Sequence, residues 1–194
     1  MKQRFCMIII ISFATYSFGQ QGNKIKFGIK IGAAFAKSNI DYINTYASPE
    51  LKARTYIMLG GFSNISITDN LMIQPSLLYV PKGAREKTLN SYSYAIRYPY
   101  LEIPLNILYR SKQKTGVYLL GGGLSPAFRL NNYYSEQEVK RFDLGINVSA
   151  SYIVPIGFSL NLGYTHGLLN VSNHKDYISK IQNRYFSVTA GYEF

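Results

Sequence analysis

The chain of 194 residues has the length of a single domain, and its composition excludes several classes of protein. Charged residues make up only 16% and aromatic residues 15%, with 18 Tyr, 11 Phe and no Trp. Such a composition excludes intrinsic disorder, which needs many charges and few aromatics, and a coiled coil, which is dominated by Ala, Glu, Lys and Leu. It favours β-structure in contact with an apolar environment.

The start of the chain predicts a cleavable signal peptide over residues 1–19, followed by one domain over residues 20–194. Lys2 and Arg4 precede an apolar stretch that is too short to span a membrane, and residues 17–19 have the small-x-small pattern of a cleavage site. The only cysteine, Cys6, lies inside this segment. We therefore expect a mature chain without disulfides, in a compartment that excludes a nucleic-acid partner despite the net charge of +11.

Eight segments after residue 23 predict β-strands. Four of them alternate strictly between apolar residues and small or polar ones, beginning at Phe27, Phe142, Phe158 and Phe186. Alternation with period two is typical of a strand with one apolar and one polar face. Four less regular segments cover about 56–65, 71–79, 96–109 and 116–128, and the first of these leaves open which of its faces is which.

The connections between these segments alternate in length. Short turns near 68–70, 111–115 and 155–157 alternate with long polar stretches near 37–54, 82–96, 129–140 and 168–184. Short turns at one end and long loops at the other are typical of a barrel in the outer membrane. The predicted fold is therefore all-β: an eight-stranded antiparallel up-and-down transmembrane β-barrel with both termini in the periplasm.

The polar face of the strands decides between a membrane barrel and a soluble one. It consists mainly of Gly, Ser, Asn and Thr, which fit the crowded interior of an eight-stranded barrel, whereas a soluble surface would carry many Lys and Glu. The apolar face also has aromatic residues at the short-turn end, as expected at a membrane interface. These are Phe27, Tyr109, Tyr152, Phe158, Tyr192 and Phe194. A soluble periplasmic ligand-binding barrel is the less favoured alternative.

Charged residues on the polar face are expected inside the barrel, where an unpaired charge is costly. Closure would set the first and last strands side by side, which predicts a salt bridge between Glu193 and either Lys26 or Lys30. The full set of expected interior charges is Lys26, Lys30, Glu102, Asp143 and Glu193.

Several motifs resemble the PorT-like family of outer-membrane β-barrel proteins of Bacteroidetes. The most distinctive is Tyr-Leu-Glu-Ile-Pro-Leu at residues 100–105. Others lie at residues 27–32, 73–79 with Lys82-Gly83, 121–123, 167–170 and 183–194, so the resemblance extends over nearly all of the mature chain.

The resemblance implies a barrel inserted by the barrel-assembly machinery, with Tyr192 and Phe194 in the terminal aromatic signal that this machinery reads. A member of the family is associated with type IX secretion and gliding. The expected role is therefore structural or interactive, with envelope or secretion-system proteins as partners. Side chains fill the interior of an eight-stranded barrel, so we expect no open pore. We also expect no enzymatic activity and no cofactor, because the sequence contains no motif for either.

Most of the positive charge falls in the predicted long loops. The stretches 37–54, 82–97, 129–141 and 170–184 carry net charges of +1, +3, +1 and +2, which is seven of the nine positive charges left after the signal peptide. We expect a basic extracellular rim that contacts the phosphates of lipopolysaccharide; the alternative is that these loops are merely solvated. The expected rim residues are Lys82, Arg85, Lys87, Arg97, Lys175 and Lys180.

The sequence contains few groups that could support catalysis. His166 shares the outward parity of its strand, so the alternative function is a lipid-modifying enzyme acting near this histidine. Catalysis there would need a nucleophile and an acid that orients the ring, and the sequence offers neither on the same strand. His174 has no neighbour at metal-ligand spacing, and Gly121-Gly122-Gly123 lacks the Lys-Ser/Thr of a phosphate loop.

Overall fold

The computed structural model describes residues 25–42, 50–87, 93–130, 139–173 and 178–194. The predicted signal peptide lies outside these residues. The described chain forms ten strands: β1 (Ile25–Tyr42), β2 (Glu50–Lys52), β3 (Arg54–Ser66), β4 (Leu71–Lys87), β5 (Ser93–Glu102), β6 (Leu105–Gln113), β7 (Gly116–Arg129), β8 (Phe142–Ile153), β9 (Phe158–Gly167) and β10 (Ile178–Glu193). Within the described ranges there is no helix long and apolar enough to cross a membrane.

All ten strands belong to one antiparallel sheet, which closes on itself because β1 pairs with both β3 and β10. The barrel wall nevertheless has eight strand positions rather than ten, and we call each of these positions a stave. β2 is a three-residue strand that pairs with the extracellular end of β4, and β5 and β6 form a single stave interrupted at Ile103-Pro104. The register against β4 is unchanged across this interruption, and Ser76 N–H donates to Pro104 O at 2.9 Å. The predicted eight-stranded antiparallel barrel is confirmed.

The pairing registers fix the shear of the barrel. Paired interior positions can be followed around the wall from Lys26 on β1 back to β1, where they arrive at Ala36, ten residues further along. They pass through Asn64, Gln74, Asn106, Gly123, Asn147, Thr165 and Tyr185. A barrel of eight tilted staves has an interior that side chains just fill.

Alternate residues of the wall face outward and are apolar, as a lipid-facing surface requires. Two aromatic belts bound this surface. At the short-turn end lie Phe27, Tyr109, Tyr118, Phe158, Tyr192 and Phe194, all at least 45% exposed. At the other end Phe35 stacks on Phe186 with ring centroids 6.3 Å apart, and Phe128 contacts Phe142 at 5.3 Å. The second belt was not predicted from the sequence.

Several strands continue further than their sequence patterns predicted. β1, β4 and β10 extend into stretches that were expected to be extracellular loops. Polar residues such as Ser38, Lys82 and Asn183 obscure the alternation in these extensions, because they face inward and are buried there among polar partners. The structure also resolves the parity of β3: Tyr56, Met58, Phe62 and Asn64 face inward and are buried.

Glycine allows β7 to lie unusually close to its neighbours. A Cβ atom at Gly123 would lie only 1.9 Å from Leu105 O on β6, and one at Gly122 only 2.3 Å from Asn147 O on β8. Any side chain at these positions would push the paired backbones apart. By contrast, a Cβ atom at Gly61 would meet nothing closer than Gly28 O at 3.6 Å, an ordinary contact.

We predict that Gly123→Ala destabilises the barrel and that Gly61→Ala does not. The methyl group introduced by Gly123→Ala must displace the backbone of β6. We therefore expect the free energy of unfolding to fall by about 1–3 kcal/mol, the usual cost of overpacking. The measurement is the temperature at which the folded band disappears in heat-modifiable gel migration. Equal melting temperatures for the two variants would show that the close approach of β7 to β6 is unimportant.

Candidate functional site

The periplasmic mouth of the barrel is crossed by a chain of polar contacts. Lys26 Nζ lies 2.8 Å from Glu193 Oε1, so the salt bridge expected from closure of the barrel is present. Asn64 Nδ2 donates to Glu193 Oε2, and Gln74 Nε2 donates to Asn64 Oδ1 at 2.8 Å. Three staves and the C-terminal strand are thereby joined through side chains. Lys26 itself remains largely exposed at the mouth, while Asn64 and Gln74 are buried.

A second and fully buried ionic cluster lies towards the extracellular half of the interior. Lys82 Nζ is 2.9 Å from Glu102 Oε2 and 3.2 Å from Asp143 Oδ2. Its ammonium group also lies 4.9 Å from the ring centroid of Tyr100 and 5.9 Å from that of Tyr185. We define Lys82, Glu102 and Asp143 as the interior triad. It joins staves that are far apart in sequence through one cation.

Neutral hydrogen-bond donors complete the interior triad. Tyr185 Oη donates to Glu102 Oε1 at 2.6 Å, and Ser125 Oγ donates to the same oxygen. Asn183 Nδ2 donates to Asp143 Oδ2 at 3.1 Å, and Ser38 Oγ donates to Asn183 Oδ1 at 2.7 Å. Both carboxylates are completely buried, so these contacts replace the hydration that the anions lose.

The position of Lys82 corrects the sequence-based prediction. Lys82 was expected on the extracellular rim, but it is 2% exposed and lies inside the barrel. The physical reason is that β4 continues through Lys87, so Lys82 falls on the inward parity of a strand instead of in a loop. The Glu102 and Asp143 carboxylates, which were expected to need basic partners, provide the charge that makes its burial possible.

An apolar cluster lies at the extracellular end, above the interior triad. Tyr98, Tyr100, Ala127, Val139, Val171 and Ile181 are all buried there, with Ile40 and Leu169 packed against them. Val139 and Val171 come from the segments that follow β7 and β9, and a bridge between Val139 and Ser172 holds these segments together. Between the periplasmic ion pair and this cluster, the described interior contains a cavity bordered by Lys30.

The structure places the other residues predicted for the basic rim in different positions. Arg97 is exposed and donates to Tyr79 Oη at 3.0 Å, and Lys180 is exposed near the start of β10. Arg85 and Lys87 lie on β4, but their side chains, and all of Lys175, lie outside the described part of the chain. Sequence reasoning did not single out Lys37 and Arg184, which the β1–β10 register makes lateral neighbours on the outer wall.

Lys37 and Arg184 continue into a row with His166. Arg184 pairs with His166 in the β10–β9 register, so the three side chains follow one another across β1, β10 and β9. In the same registers Phe35, Phe186 and Tyr164 form the adjacent row on the membrane side. Neighbouring strands are about 4.8 Å apart, so the basic row spans about 10 Å. We call Lys37, Arg184 and His166 the basic row.

The surroundings of His166 do not resemble a catalytic site. Its ring stacks on Tyr164 at 6.5 Å, and its lateral neighbours are Arg184 and Ile146. Neither lateral neighbour is a nucleophile or an acid that could orient the imidazole. Among the described residues, no group of three His, Cys, Asp or Glu side chains could hold a metal ion, and His174 lies outside the described ranges.

The sequence matches the family of the outer membrane protein beta-barrel domain over residues 15–173. A comparison with curated protein sequences finds no match. Among solved structures, the chain is similar to the outer membrane protein OprG from Pseudomonas aeruginosa, with 14% identity, a TM-score of 0.53, and coverage of 87% of this chain and 95% of that one. Neisserial surface protein A has 17% identity, a TM-score of 0.49, and coverage of 87% and 97%.

We predict that Lys82→Met strongly destabilises the barrel, because it leaves two buried carboxylates without a cation. Breaking a buried ion pair from one side costs about 3–5 kcal/mol. The triple variant Lys82→Met, Glu102→Gln, Asp143→Asn removes all three charges and should regain most of that loss. The measurement is urea unfolding in lipid vesicles, with Lys112→Met at the exposed end of β6 as the control. A Lys82 variant as stable as the Lys112 variant would contradict the prediction.

Proposed function

Because the chain belongs to the outer membrane protein β-barrel family and lies in the outer membrane, we propose that it serves there as a closed barrel whose outer wall contacts lipopolysaccharide. Its role is structural or interactive and does not include solute passage or catalysis. The observation that carries this proposal is the basic row on the outer wall, directly beside an aromatic belt.

The position of the basic row matches the level of lipid phosphates. Aromatic side chains prefer the interface between hydrocarbon and head groups, so Phe35 and Phe186 mark the outer edge of the apolar layer. Lys37 and Arg184 lie two residues further towards the extracellular end of the same strands, where head-group phosphates begin. Of the described carboxylates, none lies within 4 Å of either cation, so both can bind an external anion.

The chemistry of the row also favours phosphate. An arginine guanidinium can donate two parallel hydrogen bonds to phosphate oxygens, and a lysine beside it adds a second positive charge. Further exposed cations surround the extracellular end: Lys52, Arg97, Lys140, Arg141 and Lys180. They would attract a polyanionic glycolipid over a longer range and orient it towards the row.

Two finer roles accompany this proposal. The resemblance to PorT-like proteins supports an accessory function in secretion, with other envelope proteins as partners. Insertion by the barrel-assembly machinery is supported by the C-terminal strand: Tyr192 and Phe194 face outward, and Phe194 N–H donates to Phe27 O at 2.9 Å at the seam of the barrel.

We predict that the double variant Lys37→Gln, Arg184→Gln loses most of its bound lipopolysaccharide, because two phosphate ligands are removed. The measurement is lipopolysaccharide retained per barrel after purification in 0.15 M salt, with a fall of at least threefold expected. The matched control, Lys112→Gln with Lys114→Gln, removes the same charge from the opposite end. Equal retention by both double variants would refute the contact.

A second prediction concerns the enzymatic alternative. His166 has no nucleophile beside it, so His166→Ala should leave the acyl pattern of lipid A unchanged when the variant replaces the wild-type protein in cells. Mass spectrometry of extracted lipid A is the measurement, and heat-modifiable migration controls for folding. Disappearance of a lipid A species with a folded variant would favour the enzyme and contradict the non-enzymatic proposal.

A further inference from the structure

A groove crosses the outer wall of the barrel over β3, β1, β10 and the start of β9. Its volume is about 480 Å³, within the range of about 300–1,000 Å³ that is typical of clefts for small ligands. The side chains that face the groove from outside the barrel are all apolar: Ile29, Ile31, Leu59, Phe158, Ala190 and Tyr192. We call this depression the outer groove.

A single small residue leaves much of the space in the outer groove. The pairing registers place Ala190 between Ile31 on β1 and Leu160 on β9, all on the lipid-facing side of the wall. The methyl group of Ala190 reaches less far from the wall than these two neighbours, which are 58% and 56% exposed. Tyr192 follows on the same face of β10, because side chains two residues apart in a strand share a face.

The aromatic belts fix the depth of the outer groove in the membrane. On β1, Phe27 belongs to the belt at the periplasmic end and Phe35 to the belt at the extracellular end, so Ile31 lies midway between them. Phe158 and Tyr192 belong to the periplasmic belt and also line the groove. The outer groove therefore extends from the periplasmic belt to about the middle of the apolar layer.

This depth decides which molecule meets the outer groove. Lipopolysaccharide occupies the extracellular leaflet, so the lipids at this depth are phospholipids of the periplasmic leaflet. An unfilled depression would lose dispersion contacts along its lining, and a flexible acyl chain restores them. A stable protein interface needs about 20–30 residues on each side, whereas the groove is lined by nine, and apolar surfaces gain little hydrophobic energy by meeting within lipid.

We infer that the outer groove binds an acyl chain of a phospholipid from the periplasmic leaflet. The chain enters beside Phe158 and Tyr192, with its head group on the periplasmic side of the belt, and ends beside Ile31 and Ala190. Dispersion contacts along the groove hold this lipid more firmly than the lipids that surround the rest of the wall. The inference does not depend on the contact with lipopolysaccharide, which concerns the extracellular end.

The test is mass spectrometry of the intact mature barrel, extracted from membranes and washed with detergent until bulk lipid is gone. We expect the wild type to retain one phospholipid per barrel. Ala190→Leu fills the outer groove and should reduce this retention at least threefold, and Ala190→Val should reduce it less. The matched control is Ala150→Leu, because Ala150 also lies between two leucines, Leu120 and Leu162, but outside the groove. It should retain as much phospholipid as the wild type.

Heat-modifiable migration establishes that each variant is folded, and Ala190→Val decides the matter if Ala190→Leu does not fold. Lipopolysaccharide differs from phospholipid in mass, and its retention should be the same in Ala190→Leu as in the wild type, since the basic row is intact. No phospholipid on the wild type, or equal retention by the two folded leucine variants, would overturn the inference. A dimer of barrels that Ala190→Leu dissociates would also overturn it, because a second copy would then occupy the groove.

Discussion

The pairing of β1 with β10 is the constraint on which the rest of the molecule depends. Within the hydrocarbon layer no water can satisfy backbone N–H and C=O groups, so an open sheet edge is not tolerated there. Fifteen register pairs from Gly28↔Glu193 to Tyr42↔Ile178 remove that edge. Once the sheet is closed, every second side chain must enter a narrow interior, and the nature of that interior follows.

A closed interior without bulk water imposes a strict balance of charge and hydrogen bonding. The wall brings Lys26 to Glu193 at one level and Lys82 to Glu102 and Asp143 at another. Serine, asparagine and tyrosine side chains satisfy the remaining carboxylate oxygens of Glu102 and Asp143 in part. The interior thus consists of layers, from an ion pair through a polar cavity and an ionic triad to an apolar cap.

The outer wall carries apolar residues at one depth of the membrane and basic residues at another. Its apolar residues meet the hydrocarbon, and the aromatic belts mark its two limits. Beyond the extracellular belt the basic row aligns across β1, β10 and β9, although its members lie far apart in sequence. The strand pairing of the wall holds these side chains at a fixed spacing, which supports the proposed contact with a phosphate.

The sequence by itself determined the class of fold and the two faces of its regular strands. Alternation is a local property: Phe142 to Tyr152 reveals its faces without reference to any other segment. Even a salt bridge of Glu193 with Lys26 or Lys30 followed from the sequence, because closure places the first strand beside the last, and the structure selects Lys26. The parity of β3 remained open, since Gly60-Gly61 interrupts the contrast between its faces.

Only the tertiary structure decided which charges meet inside and which lie outside. The residues that flank Lys82 in the sequence are typical of a loop. Its burial depends on carboxylates from β5 and β8, which no local sequence pattern connects to it. The basic row likewise forms only because the pairing registers of three strands align its residues across the wall. Pairing registers are set by closure, shear and packing of the whole wall, and these are long-range properties that local periodicity does not contain.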